Sequence, residues 1–153
     1  MFVSYKNTQI HFTETGSGTA VVLLHGFLEN TTMWNSTVAF LSQRYRVIAI
    51  DLLGHGLSEN LGYVHTMEQM SEAVQEVLYH LKIRKTFLIG HSMGGYVALA
   101  FAEFFPDNVK GLCLLNSTSR ADSEEKQIGR DRAIQIVKEN HTSFIRNSIP
   151  MLF

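Results

Sequence analysis

Three continuous apolar runs, TAVVLLHG, YRVIAID and TFLIG, constrain this chain more than any other feature. A strand with one wet face alternates apolar and polar residues. These runs do not, so each predicts a strand covered on both faces, as in a parallel sheet flanked by helices. The segments between them supply the helices. Trp34, Val38 and Leu41 recur at helical spacing, and Met67, Met70, Val74, Val77 and Leu81 mark one face of an amphipathic helix. Thr66 and Gln69 have capping-box spacing at its start, and Lys82, Arg84 and Lys85 stand where the helix dipole favours cations. A helix from about Met93 to Phe105 and a strand VKGLCLLN follow TFLIG, while MFVSYK and TQIHFTET read as an opening hairpin. The expected fold class is α/β, a doubly wound, mostly parallel sheet.

With 153 residues the chain is long enough for one sizeable core and too short for two. A formal net charge of −1 leaves no basic footprint for nucleic acid or an anionic membrane surface. No apolar run approaches the roughly 20 residues of a membrane span, and the first residues lack the apolar segment of a signal peptide. The one cysteine, Cys113, permits no internal disulfide and no cysteine-based zinc site; within GLCLLN it reads as a buried thiol. A cytoplasmic location is the expectation. From Thr118 the pattern changes to a charged helical stretch with Ile128, Ile134 and Val137 as a thin apolar stripe. Asp122, Glu124 and Glu125 crowd its start, where acids complement a helix dipole.

Gly90-His91-Ser92-Met93-Gly94 satisfies G-x-S-x-G, with an apolar strand before it and a helix after. A tight strand-to-helix turn forces its central residue into an unfavourable backbone conformation and crowds the positions two residues away, where the glycines stand. Such a turn lifts the Ser92 hydroxyl clear of the sheet and aims helix amides at whatever binds there. His25-Gly26-Phe27 follows an earlier apolar strand, at the carboxyl end where open-sheet sites lie, and Gly26 lets the backbone approach a ligand. Ser92 is a candidate nucleophile, and the amides of Phe27 and Met93 are a candidate oxyanion hole.

HGF, DLLGHGLS and GHSMGGYVALAFA together resemble the N-terminal portion of an α/β-hydrolase, among the small serine hydrolases that include carboxylesterases and thioesterases. The likeness covers about residues 1–117. It implies an α/β-hydrolase sheet that is incomplete in this chain, with residues 118–153 beginning a helical cap. It also implies Ser92 as the nucleophile, with the Phe27 and Met93 amides as oxyanion donors. Serine at the turn separates the chain from the epoxide hydrolases and haloalkane dehalogenases, which use aspartate there. The family's order along the chain is serine, then acid, then histidine. The resemblance therefore implies a fragment, inactive alone, completed by the C-terminal part of the same hydrolase, which brings the acid and the histidine. His25 and His91 take structural roles on this reading, and His55 lies in a loop near the same end of the sheet. Asp51 reads as fixing the DLLGHGLS turn through side-chain-to-backbone bonds. His11, His65, His80 and His141 read as surface or packing residues. VKGLCLLN becomes an uncovered apolar edge, an association hazard.

The expected function is cleavage of a small-molecule carboxylic ester or thioester through an acyl-enzyme on Ser92, with no cofactor and no metal. Leu28, Phe144, Ile149 and Met151 are candidates for an apolar substrate pocket, ordinary core being the other reading of those side chains. A receptor-like or binding protein on the same scaffold, with little or no turnover, is the alternative. Nothing in the chain matches a dinucleotide or Walker phosphate loop.

Overall fold

The computed structural model describes residues 1–148, which divide into two compact units, Met1–Thr118 and a second that begins at Ser119. Ile149 and Met151, expected at a pocket, lie outside the described residues. In the first unit every apolar run is a strand: β1 (Phe2–Tyr5), β2 (Thr8–Thr15), β3 (Ala20–Leu24), β4 (Arg46–Ile50), β5 (Thr86–His91) and β6 (Val109–Leu115). They form one sheet in the order β1-β2-β4-β3-β5-β6. β1 and β2 make the expected antiparallel hairpin, and β2 runs antiparallel to β4. From β4 through β3 and β5 to β6 all neighbours are parallel. Lys6 and Asn7 turn the hairpin with φ of 47° and 66°, the pair of left-handed residues that a two-residue turn between twisted strands requires.

Helices α1 (Asn35–Leu41), α2 (Met67–His80) and α3 (Met93–Phe104) complete the first unit. The start of α2 is fixed as its sequence predicts. Thr66 Oγ1 accepts the Gln69 amide at 3.2 Å, and Gln69 Oε1 accepts the Thr66 amide at 3.1 Å. Met70, Val74 and Val77 point from α2 into a core shared with Phe12, Val22, Leu24, Ile48 and Phe101. A smaller cluster of Val21, Leu23, Trp34, Val47 and Ala49, with Val38 and Leu41 of α1, covers the other face. Burial on both sides explains why the central strands carry no polar alternation. Phe12 and Phe101, both fully buried, each contribute about 2–3 kcal/mol through apolar area withdrawn from water.

β6 is the edge strand on the parallel side, and the sheet beside it is only partly covered. Phe87 is 39% and Leu115 41% exposed, and an open apolar groove of about 380 Å³ runs between Leu41, Tyr45, Phe87 and Cys113. Cys113 is exposed rather than buried. An apolar run fixes strand type, but a thiol on an edge strand is buried only if something covers that face, and α1 packs over β4 instead.

The second unit holds α4 (Glu124–Ser148), with Glu124 and Glu125 in its first turn and Asp122 paired to Arg130 just before it. The helix is broken at Asn140, whose φ of −155° and ψ of 82° are extended. Asn140 Oδ1 accepts the Ser143 amide at 3.0 Å, so this residue caps a second helical segment. No helix among the described residues is long and apolar enough to cross a membrane.

Candidate active site

Leu24 lies in register with both Ile50 and Gly90, so β3, β4 and β5 end at one level. His25, Asp51 and Ser92 therefore leave the sheet along the same edge. Ser92 has φ of 49° and ψ of −114°, a conformation that costs a non-glycine residue about 1–3 kcal/mol. Its surroundings hold it there. The Ser92 amide donates to Leu115 O at 3.0 Å, continuing the β5–β6 ladder, and its carbonyl accepts from the Gly95 amide at 3.0 Å and Ser117 Oγ at 2.8 Å. The two flanking glycines are explained by contact. A Cβ on Gly90 would lie 2.3 Å from Gly94 O, and one on Gly94 would lie 2.3 Å from Leu24 O. The Ser92 side chain is half-buried and makes no capping bond to α3.

Across the turn, the loop after β3 is fixed by His25, which is fully buried. His25 Nε2 accepts the Leu52 amide at 2.9 Å, which assigns the ring proton to Nδ1, 2.8 Å from Gly26 O. Burial lowers the pKa of this imidazole, favouring the neutral form the two bonds need. Nδ1–H thus holds the carbonyl of the Gly26–Phe27 peptide, whose N–H is the Phe27 amide. A Cβ on Gly26 would sit 3.2 Å from the Ser92 Cβ, so the serine turn is among its close neighbours. Met93 begins α3, and a first-turn amide has no intrahelical acceptor. Among the described residues neither the Phe27 nor the Met93 amide makes a hydrogen bond. Amide donors without a partner are the kind of group that a negatively charged oxygen can use.

Asp51 does what its position in DLLGHGLS predicts. Its carboxylate accepts the Thr31 amide at 2.7 Å and the Leu57 amide at 3.0 Å. It also lies 2.8 Å from His11 Nδ1, a partner with no sequence signal, so His11 is not merely a surface or packing residue. Burial alone would raise this carboxyl, but the Leu57 and Thr31 amides and His11 outweigh it and hold it below the usual range. A carboxyl depressed on folding contributes stability that is present above its unfolded value, roughly pH 4, and lost as pH falls through its folded value. Unfolding followed by circular dichroism should therefore show a loss of stability below about pH 4 that Asp51→Asn flattens. At pH 7 the same variant should be about 2 kcal/mol less stable, having placed an amide against one buried and one partly buried N–H donor.

The remaining histidines of this edge are occupied. His55 Nδ1 lies 3.0 Å from Leu53 O, with its ring 5.3 Å from that of His25 and 6.0 Å from that of Phe27. His91 Nδ1 faces Glu29 at 2.9 Å. The two histidine–carboxylate pairs of the first unit, His11–Asp51 and His91–Glu29, thus hold turns, as does His25. Of the pocket candidates, Leu28 is half-buried in the loop after Phe27, and Phe144 is half-buried within the second unit. No group of three or more potential metal ligands gathers among the described residues.

Residues 19–138 match the sequence family described as the alpha/beta hydrolase fold. An uncharacterized protein of Mycobacterium tuberculosis is 41% identical over 106 residues, which are 69% of this chain and 31% of that protein. The pimeloyl-[acyl-carrier protein] methyl ester esterase of Nitrosomonas europaea is 36% identical over 109 residues, 71% of this chain and 41% of the esterase. Among solved structures, a thermophilic esterase from Thermogutta terrifontis superposes with a TM-score of 0.85 at 38% identity, covering 92% of this chain and 52% of that one. The chain spans about half the length of these relatives, or less.

Proposed function

The chain belongs to the α/β-hydrolase fold family, and from that premise we propose that Ser92 is the nucleophile of a centre that hydrolyses a carboxylic ester or thioester. One observation carries this reading: a serine held in a strained strand-to-helix turn, with the amides of Phe27 in the adjoining loop and Met93 at the start of α3 making no hydrogen bond among the described residues. Ser92 Oγ attacks the acyl carbon while a histidine takes its proton, and the two amides receive the charge that forms on the carbonyl oxygen. Collapse expels the alcohol or thiol, which takes the proton from the histidine. Water then attacks the acyl-enzyme, again through the histidine, and releases the carboxylic acid.

We assign that histidine and its orienting acid to a C-terminal part of the hydrolase outside these 153 residues, so the chain alone is inactive. His25, His55 and His91 support this assignment because each already has a structural partner. The names of the Nitrosomonas and Thermogutta relatives favour ester chemistry over other hydrolyses. Leu28, in the loop after Phe27, is proposed to line an apolar pocket for the acyl group. The mechanism calls for no cofactor, and we expect the enzyme to act in the cytoplasm. The competing reading, a receptor-like protein on the same scaffold, draws on one observation: His25, His55 and His91, the histidines flanking the serine turn and its neighbouring loops, already have partners.

A panel of p-nitrophenyl esters of increasing acyl length, with one acyl thioester, tests the proposal on the complete protein. Hydrolysis with an initial burst of up to one equivalent of nitrophenol is the expected result. Binding of these compounds with neither burst nor turnover would instead support the receptor-like reading.

A further inference from the structure

Glu29 makes contacts that acyl transfer at Ser92 does not by itself require. One carboxylate oxygen, Oε2, accepts the Gly26 amide at 2.6 Å and also lies 2.9 Å from His91 Nδ1. Gly26 begins the loop that carries the Phe27 amide, and His91 immediately precedes Ser92. A single oxygen thus ties the loop bearing one oxyanion donor to the turn bearing the nucleophile and the other donor. The His91 and Glu29 side chains are 20% and 11% exposed, so salt and water screen the contact little.

The loop needs such a tie. Leu28 sits at φ of 62°, a conformation strained for a residue with a branched side chain. The Glu29 amide turns back to Gly26 O only at a long 3.3 Å. A Cβ on Gly26 would meet Glu29 Oε2 at 2.6 Å and His91 Nδ1 at 3.0 Å, so the tie closes over the one loop position without a side chain.

The geometry points to Glu29 as a positioning residue that fixes the Phe27 amide relative to Ser92 and the Met93 amide, a role that rests on the acyl-transfer reading above. Oxyanion donors act on the transition state more than on bound substrate, so loosening the tie lowers kcat and spares KM.

The test uses p-nitrophenyl acetate hydrolysis by the complete protein, with Glu29→Ala, Glu29→Asp, Glu29→Gln and Ser92→Ala compared with the parent. Glu29→Ala should lower kcat by about 10- to 100-fold with KM within about threefold, the size expected when an oxyanion donor is displaced rather than deleted. Glu29→Asp keeps the charge but is one methylene too short to reach both partners, and should fall nearly as far; it serves if the alanine variant does not fold. Glu29→Gln, whose amide oxygen can still accept the Gly26 N–H, should return to within about fivefold of the parent. A kcat unchanged in Glu29→Ala and Glu29→Asp, a loss lying in KM, or a glutamine variant as poor as alanine would each overturn the assignment. Ser92→Ala separates the two ideas. If it is inert while the Glu29 variants are normal, only the positioning role fails; if it is as active as the parent, the nucleophile fails and the positioning role with it.

Discussion

Ser92→Ala is expected to lower ester turnover by about 10⁴-fold or more without unfolding the protein. In the proposed mechanism the hydroxyl is the group that forms a bond to substrate, so its removal would abolish the acyl-enzyme rather than weaken a step. The Phe27 and Met93 amides remain, so binding should persist and the loss should lie in kcat. Stability should change by no more than about 0.5 kcal/mol, because the hydroxyl makes no capping bond and its side chain is half-buried. Alanine does not relieve the turn either, since the strain at φ of 49° is in the backbone and burdens any residue with a Cβ. Steady-state kinetics and a thermal unfolding curve on the same sample check both halves.

Gly94→Ala should do the reverse and damage the fold first. A methyl at Gly94 would lie 2.3 Å from Leu24 O and 2.6 Å from His25 O. Both are main-chain atoms, and Leu24 lies in β3, paired on both sides by β4 and β5, so neither can swing aside. Relief requires α3 to lift from the sheet, opening the core around Val97, Ala98 and Phe101. A loss of about 3 kcal/mol or more is expected. For a protein of this size that lowers Tm by roughly 10 °C. Gly129→Ala is the control: that glycine lies inside α4 with open space around it, so alanine there should raise helix stability by up to about 1 kcal/mol. Differential scanning calorimetry of the two variants should show opposite shifts.

The strands and helices of the first unit were legible because their burial is nearly symmetrical. The short apolar runs bounded by turn residues marked the central strands, which are covered on both faces, and the Thr66–Gln69 spacing marks a helix start by local bonds alone. The serine turn was legible from its short motif, and the crowding that requires Gly90 is set by Gly94 and Gly95 within the turn, whereas that at Gly94 comes from Leu24 and His25 of a distant strand end. The exposure of Cys113 was not, because it depends on what lies beside β6 and not on β6 itself. Asn140 offered a faint signal, an asparagine suited to capping, lost in a stretch that is otherwise helical. The pairs His11–Asp51 and Glu29–His91 span 40 and 62 residues and are created by the strand order, which local pattern does not specify. Those long-range contacts hold the loops that the short motifs only announce.

The most direct measurement is the site of covalent reaction with a fluorophosphonate, found by proteolysis and mass spectrometry of the complete protein. One equivalent of adduct is expected, located on Ser92 and absent when the protein is first unfolded in urea. An adduct on any other residue, or an unmodified Ser92 under conditions that label a serine esterase in the same tube, would contradict Ser92 as the nucleophile.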